Sequence, residues 1–224
     1  MTDSISDWRL DPALGLSVET PLTMRSFGDY FPPGPPDVSE SDGFADAIAA
    51  LRSFLDHVAA AKPDHATLRQ LTADLQQWRD RLANFAVPEP EQWFARRWEL
   101  LNRGQTLTPL VVIHDAHRTG VHAKVTFGRY FLGGRGAAHG GAIMQVFDEV
   151  LGNLAGASGR QWTRTASLKV DFRAIARIGA ELDLRGWFVT EEGRKRYLRG
   201  ELHDGDTLCA EAEGLFLAMR PGQA

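Results

Sequence analysis

The sequence predicts an α+β protein in which one curved antiparallel sheet wraps around a long helix. Three observations support this prediction: an apolar helical stripe over residues 138–154, two short alternating strands before it, and several longer alternating strands after it. The chain has 224 residues, 43% of them hydrophobic, so it is long enough to bury a full core and to carry an appendage.

The composition argues against several function classes. The formal net charge is −4, and arginines are mixed with acidic residues along the chain, so we expect no basic face for nucleic acid or anionic membrane. No run reaches the roughly 18 apolar residues of a membrane span, and the first residues lack the pattern of a secretory signal, which predicts a cytoplasmic protein. The single cysteine, Cys209, lies in an alternating strand pattern that favours a packing role.

Residues 1–42 are predicted to form an extended arm or linker. They lack sustained periodicity and contain the stretch Phe-Pro-Pro-Gly-Pro-Pro at residues 31–36. Proline fixes its own backbone and cannot donate a hydrogen bond, so this stretch suits neither a helix nor a central strand.

Residues 43–104 are predicted to form a helical appendage. Apolar residues recur at steps of three and four in two stretches, which meet at a short connection containing Pro63 and Asp64. Such a connection predicts an antiparallel hairpin whose apolar stripes face each other. A third helix is expected over residues 90–101, which carry Trp93, Phe94 and Trp98. We expect this appendage to shape the pocket entrance or to add to an oligomer interface.

Beyond residue 104 the apolar period becomes two. Strands are predicted near residues 110–114, 121–127, 165–173, 182–188, 198–202 and 208–216, with turns at residues 192–193 and 204–206. A glycine-rich loop at residues 132–136 leads into the central helix. Because this loop lacks the Gly-Lys-Ser/Thr ending of a phosphate-binding loop, its glycines are expected to let backbone approach a ligand or another backbone.

Two features of the central helix suggest chemistry. Gly140 and Gly141 follow His139 at its start, where backbone N–H groups are unpaired and the helix dipole is positive. Asp148 stands among apolar neighbours in the sequence, which predicts a carboxylate with a raised pKa. An aspartate with a structural pairing or capping role remains the alternative.

The order of elements, the stretch from His139 to Ala142 and the aspartate nine residues after the histidine resemble the hotdog-fold acyl-CoA thioesterases, in particular the phenylacetate-pathway branch. The strand that opens on Thr165 and the last hairpins are similar as well. The resemblance covers about residues 107–220 and predicts a hotdog domain over residues 105–220. The sequence differs from the family at Ile175, where a proline is common, and at Gly133, where some members have a polar side chain.

The resemblance implies hydrolysis of an acyl-CoA thioester to free acid and CoA. It assigns the Gly140 N–H to the oxyanion hole, His139 to loop orientation or carbonyl polarisation, and Asp148 to activation of water or direct attack. Thr165 would hold the water or the carboxylate. Strict alternation points Thr165 away from the helix, so it can serve Asp148 only at the strand's start, through a bulge or across a subunit boundary.

Further residues complete the predicted site. Gly141 is expected to contact the substrate, and three arginines are candidates for binding the CoA phosphates: Arg173, Arg177 and Arg194. The resemblance implies no metal and no organic cofactor beyond the CoA of the substrate.

The spacing of the site residues predicts a homo-oligomer. Gly140 and Asp148 would lie about 12 Å apart along one helix and roughly 80° apart around it, yet both must reach one carbonyl. A two-fold dimer, or a dimer of dimers, would pair Gly140 of one subunit with Asp148 and Thr165 of another.

Two other functions remain open from the sequence. An acyl-carrier-protein thioesterase would use the same core with a different docking face. A non-catalytic acyl-CoA-binding or scaffold protein would recruit a partner through the helical hairpin, although the presence of both Asp148 and Thr165 argues against lost catalysis. A hotdog dehydratase is disfavoured because the histidine and the aspartate of this sequence follow each other in the opposite order to the hydratase motif of that family.

Overall fold

The computed structural model describes residues 43–157 and 160–220, and the arm predicted at residues 1–42 lies outside these ranges. The elements in chain order are α1 (Phe44–Ala60), α2 (His65–Ala83), β1 (Leu110–His117), β2 (Gly120–Thr126), β3 (Leu132–Gly134), β4 (Ala137–Ala138), α3 (Gly140–Gly156), β5 (Thr163–Phe172), β6 (Glu181–Glu192), β7 (Lys195–Asp204) and β8 (Thr207–Ala218).

Six of the strands form one antiparallel sheet. Its order is β1-β2-β6-β7-β8-β5, so β1 and β5 are the edge strands, and β3 pairs with β4 in a separate two-stranded ribbon. The sheet packs on α3, whose buried residues are Ala142, Ile143, Val146, Phe147, Val150, Leu151, Leu154, Ala155 and Gly156. This arrangement confirms the predicted α+β class with a sheet around a central helix.

Two paired glycines let α3 approach the sheet closely. Gly186 of β6 lies opposite Gly200 of β7. A Cβ atom at Gly200 would lie 3.0 Å from the ring of Phe147, and one at Gly186 would lie 2.7 Å from a methyl of Leu151. Because the pair has no side chains, two large side chains of the helix fit directly against the strand backbones.

The N-terminal helices do not form the predicted hairpin. Helix α1 packs on the body of the protein, the domain that carries the sheet and α3. The Arg52 guanidinium donates to the carbonyls of Thr108, at 2.9 Å, and Gln105, and Asp56 accepts the N–H of Tyr130 at 2.8 Å. Helix α2 has no buried residue and does not pack along α1. The predicted hairpin is wrong because α1 contacts the body instead of α2: Ile48 is buried, whereas Leu51 and Val58 of the same stripe are exposed.

The apolar stripe on α2 is exposed except at Leu71, which is half-buried. Its large apolar side chains, each more than one third exposed, are Leu68, Leu75, Trp78 and Leu82, with Phe85 just beyond the helix end. Ala61 and Asp64 both have extended backbone, so the connection between α1 and α2 does not turn back tightly.

The predicted third helix over residues 90–101 is also wrong. This stretch contains turns between two short 3₁₀ helices, Glu89–Glu91 and Leu101–Arg103. Ala95, Asn102 and Arg103 have positive φ angles, which an α-helix cannot contain. The aromatic residues have different partners: Trp93 packs edge-on against Phe44, and Trp98 packs against Trp162 before β5.

Within the described ranges, no helix has both the length and the apolar character needed to cross a membrane.

Candidate active site on the exposed face of α3

The start of α3 is held by its own histidine. His139 is the N-cap residue, and its Nδ1 accepts the N–H of Gly141 at 3.0 Å. The His139 N–H donates to the carbonyl of Phe131 at 2.7 Å, which fixes the entry into the helix. In a neutral imidazole this bond places the ring proton on Nε2. A Cβ at position 141 would lie 3.0 Å from the His139 ring, so the glycine at Gly141 makes room for the cap.

The N–H of Gly140 is the first of the helix. It has no acceptor among the described residues, as expected for a first-turn donor at the positive end of a helix. The ring of Phe172, which is 52% exposed, lies beside it: a Cβ at Gly140 would be 3.1 Å from that ring. The site can therefore offer one backbone donor to an anionic oxygen, next to an aromatic side chain.

Asp148 lies two turns further along α3, away from the helix face that is buried against the middle of the sheet. It is exposed, whereas its apolar neighbours Val146, Phe147, Val150 and Leu151 are buried against the strands. The expectation of a carboxylate enclosed by these side chains is therefore wrong for the single chain. Residues one or two positions apart on a helix point in different directions, so sequence neighbours do not surround one another.

Thr165 reaches Asp148 from β5 of the same chain. Its hydroxyl donates a hydrogen bond to Oδ1 of Asp148 at 2.7 Å. The register of β5 against β8 shifts between Thr165 and Ser167, leaving Ala166 as the extra residue of a β-bulge. Thr165 pairs with Phe216, a buried residue of the core, so the bulge turns the threonine towards α3. Of the three routes left open by the sequence, the structure uses the bulge.

A second pair beside Asp148 was not foreseen from the sequence. The Arg103 guanidinium lies 2.6 Å from Oε1 of Glu149, the residue after Asp148, and 5.0 Å above the ring of Trp98. Asn153 also donates to Glu149, at 3.2 Å. Arg103 and Glu149 are 46 residues apart, and no local spacing in the sequence links them.

The arginines predicted to bind CoA phosphates are already paired with protein groups. Arg173 contacts Glu211 at 2.6 Å, and Arg177 binds Asp204, with one bond of 2.6 Å. The hydrogen bond from Arg177 lowers the pKa of the Asp204 carboxyl. Arg177 also lines an open cleft of about 690 Å³.

Arg194 lies far from the other two. Its Nε donates to the carbonyl of Ala218 at 2.7 Å, at the last residue of β8, whereas Arg177 pairs next to the start of that strand. Twelve residues of strand separate the two ends by roughly 35 Å. In one chain, Arg194 and Arg177 cannot bind the same phosphate.

The geometry brings together only part of the predicted site. Asp148 and Thr165 are in contact, and His139, Gly140 and Gly141 form a second group at the start of α3. Gly140 and Asp148 are eight residues apart on one straight helix, about 12 Å along its axis. Across residues 43–157 and 160–220, no cluster of three or more histidine, cysteine or acidic side chains could hold a metal ion.

Comparisons with known proteins agree with this fold. Residues 135–211 match the family model of the thioesterase superfamily. The match over these residues and the sheet wrapped around α3, the arrangement of the hotdog fold, confirm the resemblance to the thioesterase superfamily that the sequence predicts.

Acyl-coenzyme A thioesterase THEM4 from Bos taurus is 31% identical over 96 residues, which cover 42% of this chain and 39% of the relative. The chain thus spans about two fifths of the length of that relative. A thioesterase superfamily protein of known crystal structure is 25% identical, with a TM-score of 0.68 over 83% of this chain and 94% of its own. A phenylacetic acid degradation-related protein from Ralstonia eutropha is 21% identical, with a TM-score of 0.45 over 48% and 84% of the two chains.

Proposed function

We propose that this protein hydrolyses acyl-CoA thioesters to a free acid and CoA. The observation that carries the proposal is the bond between Thr165 and Asp148 on the open face of α3, in a domain of the thioesterase superfamily. A carboxylate can take a proton from water or attack a thioester carbonyl directly. The identity to an acyl-coenzyme A thioesterase supports this substrate class.

In the proposed mechanism Asp148 is the base or the nucleophile. Thr165 holds one carboxylate oxygen through its hydroxyl, which leaves the other oxygen to face water or the carbonyl carbon. The N–H of Gly140 donates to the carbonyl oxygen as it becomes negative, and the dipole of α3 favours that charge. His139 holds the first turn of the helix, so that the donor keeps its direction.

The proposed site needs two subunits. One carbonyl cannot contact both Gly140 and Asp148 of the same helix across about 12 Å. In a two-fold dimer, Gly140 of one subunit would meet Asp148 and Thr165 of the other, which gives two equivalent sites. The ten-residue edge strand β5 and the exposed side chains of Met144 and Phe172 support such an interface, because a long open edge normally pairs or is covered.

We further propose that residues 43–104 form an appendage to the hotdog domain of residues 105–220 and take no part in the chemistry. Their packing supports a role at the pocket entrance or in the oligomer: α1 is fixed to the body, and the stripe of α2 is exposed.

The proposal is tested by measuring release of free CoA from a panel of aliphatic and aromatic acyl-CoAs, with Asp148→Asn as the control. We expect turnover by the wild-type protein that the variant lacks. A second set of assays uses the same acyl groups attached to acyl-carrier protein. Faster hydrolysis of these esters would show that acyl-carrier protein is the substrate carrier. Tight binding of acyl-CoA without any hydrolysis would show that the protein binds acyl-CoA but is not an enzyme.

A further inference from the structure

A groove opens beside the Asp148–Thr165 pair, and the superfamily match includes only one of its walls. It lies between the turns at residues 89–103 and the ends of β5 and β8, and its volume is about 1050 Å³. The residues that matter here are Phe94, Trp98, Arg103, Trp162, Thr163 and Arg164. The wall at residues 89–103 lies outside the range that matches the superfamily model, whereas the wall at residues 161–164 lies inside it.

The groove lies close to the proposed catalytic pair on two sides. Thr163 lines it and precedes Thr165 by two residues on the same face of β5, a distance of about 7 Å. Arg103 also lines it and pairs with Glu149, the neighbour of Asp148. A substrate whose carbonyl lies at Asp148 could therefore extend into the groove within a few bonds.

The walls of the groove are aromatic and basic. The rings of Trp98 and Trp162 lie 5.8 Å apart and tilted, and Phe94 is 44% exposed. The lining contains four arginines against one acidic residue, Glu89, and Glu149 behind Arg103 is a second acid. The groove therefore keeps a net positive charge.

One donor in the wall has no acceptor. The Nε of Arg103 is buried and has no hydrogen-bond acceptor among the described residues, although the outer part of the guanidinium pairs with Glu149. A buried donor without an acceptor is costly, so a group that accepts a hydrogen bond is expected next to it.

We propose that this groove binds the far end of the acyl group and selects acyl groups with an apolar body and a terminal carboxylate. The inference rests on the proposed thioesterase function. The acyl group is the part of the substrate that fits: the tryptophans suit an apolar chain, and the arginines suit a carboxylate. The adenosine phosphates of CoA are separated from the thioester by the long pantetheine arm, and the arm itself is uncharged next to the sulfur.

A matched pair of substrates tests this inference: octanoyl-CoA and suberoyl-CoA, which have eight carbons each and differ in the terminal carboxylate. We expect kcat/KM of the wild-type protein to be about tenfold higher for suberoyl-CoA, in line with one charge-assisted hydrogen bond. Arg103→Gln and Arg164→Gln should each remove most of this preference, measured as the ratio of the two kcat/KM values within the same variant, and Arg164→Gln should in addition leave octanoyl-CoA turnover unchanged. Arg199→Gln, on an exposed arginine that pairs with Glu213 elsewhere on the sheet, is the control and should keep the preference.

The possible failures are distinguishable. Hydrolysis of neither ester would refute the thioesterase function itself. Equal hydrolysis of both, or a preference that survives both glutamine variants, would refute the acyl groove while keeping the enzyme. The same two acyl groups are also tested on dephospho-CoA, which lacks the 3′-phosphate. If the variants lower kcat/KM equally for both CoA esters but not for the dephospho-CoA esters, the groove binds the nucleotide, and its assignment to the acyl group is wrong. Arg164 is exposed, so its variant remains informative if Arg103→Gln fails to fold.

Discussion

The hydroxyl of Thr165 donates a 2.7 Å hydrogen bond to Oδ1 of Asp148, and this bond joins β5 to α3 within one chain. It exists because a bulge at Ala166 shifts the alternation of the strand by one residue. The bond restrains the carboxylate, since an exposed aspartate side chain without a partner would rotate freely. A pre-oriented carboxylate is what both the base and the nucleophile mechanisms require.

The first prediction concerns the hydroxyl of Thr165. Thr165→Ala should lower kcat by about tenfold, because it removes a hydrogen bond worth on the order of 1–2 kcal/mol to a charged group but not the reacting charge. Thr165→Ser keeps the hydroxyl and should retain most of the turnover. The measurement is kcat on one acyl-CoA substrate that the wild-type protein hydrolyses well. An equal loss of kcat in both variants would mean that the methyl group of Thr165, and hence its packing, matters rather than its hydroxyl.

The second prediction isolates the N–H of Gly140. Gly140→Pro removes this donor at a position where proline is tolerated, because Gly140 is the first residue of α3 and His139 before it has extended backbone, with φ −64° and ψ 131°. We expect kcat to fall by roughly 10²- to 10³-fold, the usual cost of losing one oxyanion donor. The measurement is kcat with a circular dichroism check of the fold.

The matched control is Gly140→Ala, which places a Cβ beside Phe172 but keeps the N–H. Phe172 is half exposed and can move aside, so this variant should keep most of its turnover. If alanine is as harmful as proline, crowding against Phe172 explains the loss, and the oxyanion role of Gly140 is refuted.

The third prediction tests whether the site is shared between subunits. Asp148→Asn and Gly140→Pro are each expected to be inactive alone, but a hybrid dimer of the two has one site with both native groups. Co-expression with two different affinity tags and purification through both isolates this hybrid. We expect about half of the wild-type activity, one intact site out of two. An inactive hybrid, or a fully active wild-type monomer by light scattering, would contradict a shared site.

The fourth prediction concerns stability. Arg196 is 4% exposed and donates to the carbonyl of Ala155 at 2.6 Å and to that of Gln161 at 2.8 Å. It thus joins the last turn of α3 to the chain that enters β5. Arg196→Met leaves both carbonyls and the carboxylate of Glu191 without this donor, so we expect a loss of about 3–5 kcal/mol in the free energy of unfolding.

Denaturant unfolding provides the measurement, and Arg199→Met provides the control. Arg199 pairs with Glu213 on the exposed side of the sheet, where an ion pair contributes about 0–1 kcal/mol. Equal effects of the two substitutions would show that Arg196 has no special structural role.

The sequence predicts the hotdog domain well because periodicity and burial coincide there. The alternating strands and the stripe of α3 face one core, so each pattern identifies its own partner surface. The helical appendage is different. The stripes of α1 and α2 correctly predict two helices, but a stripe indicates only that one face is apolar and does not identify what covers it.

The sequence predicts which residues belong to the candidate site better than it predicts how they are arranged in space. His139, Gly140 and Asp148 follow from one helix and its N-terminus. The side to which Thr165 points depends on a bulge, and alternation in the sequence cannot locate one extra residue. Arg103 and Glu149 were missed because their contact depends on the path of residues 88–103, where positive φ angles replace the predicted helix.

The central claim is that the Asp148 carboxylate performs the chemistry, and the most direct measurement is the hydrolysis of several acyl-CoAs by Asp148→Asn beside its melting curve. The amide keeps an oxygen acceptor for Thr165, and the position is exposed in the single chain, so the melting temperature should not fall. We expect kcat to fall by about 10²- to 10⁴-fold, with KM almost unchanged. Retained turnover, or activity lost only together with a large drop in melting temperature, would make Asp148 a structural residue and contradict the mechanism.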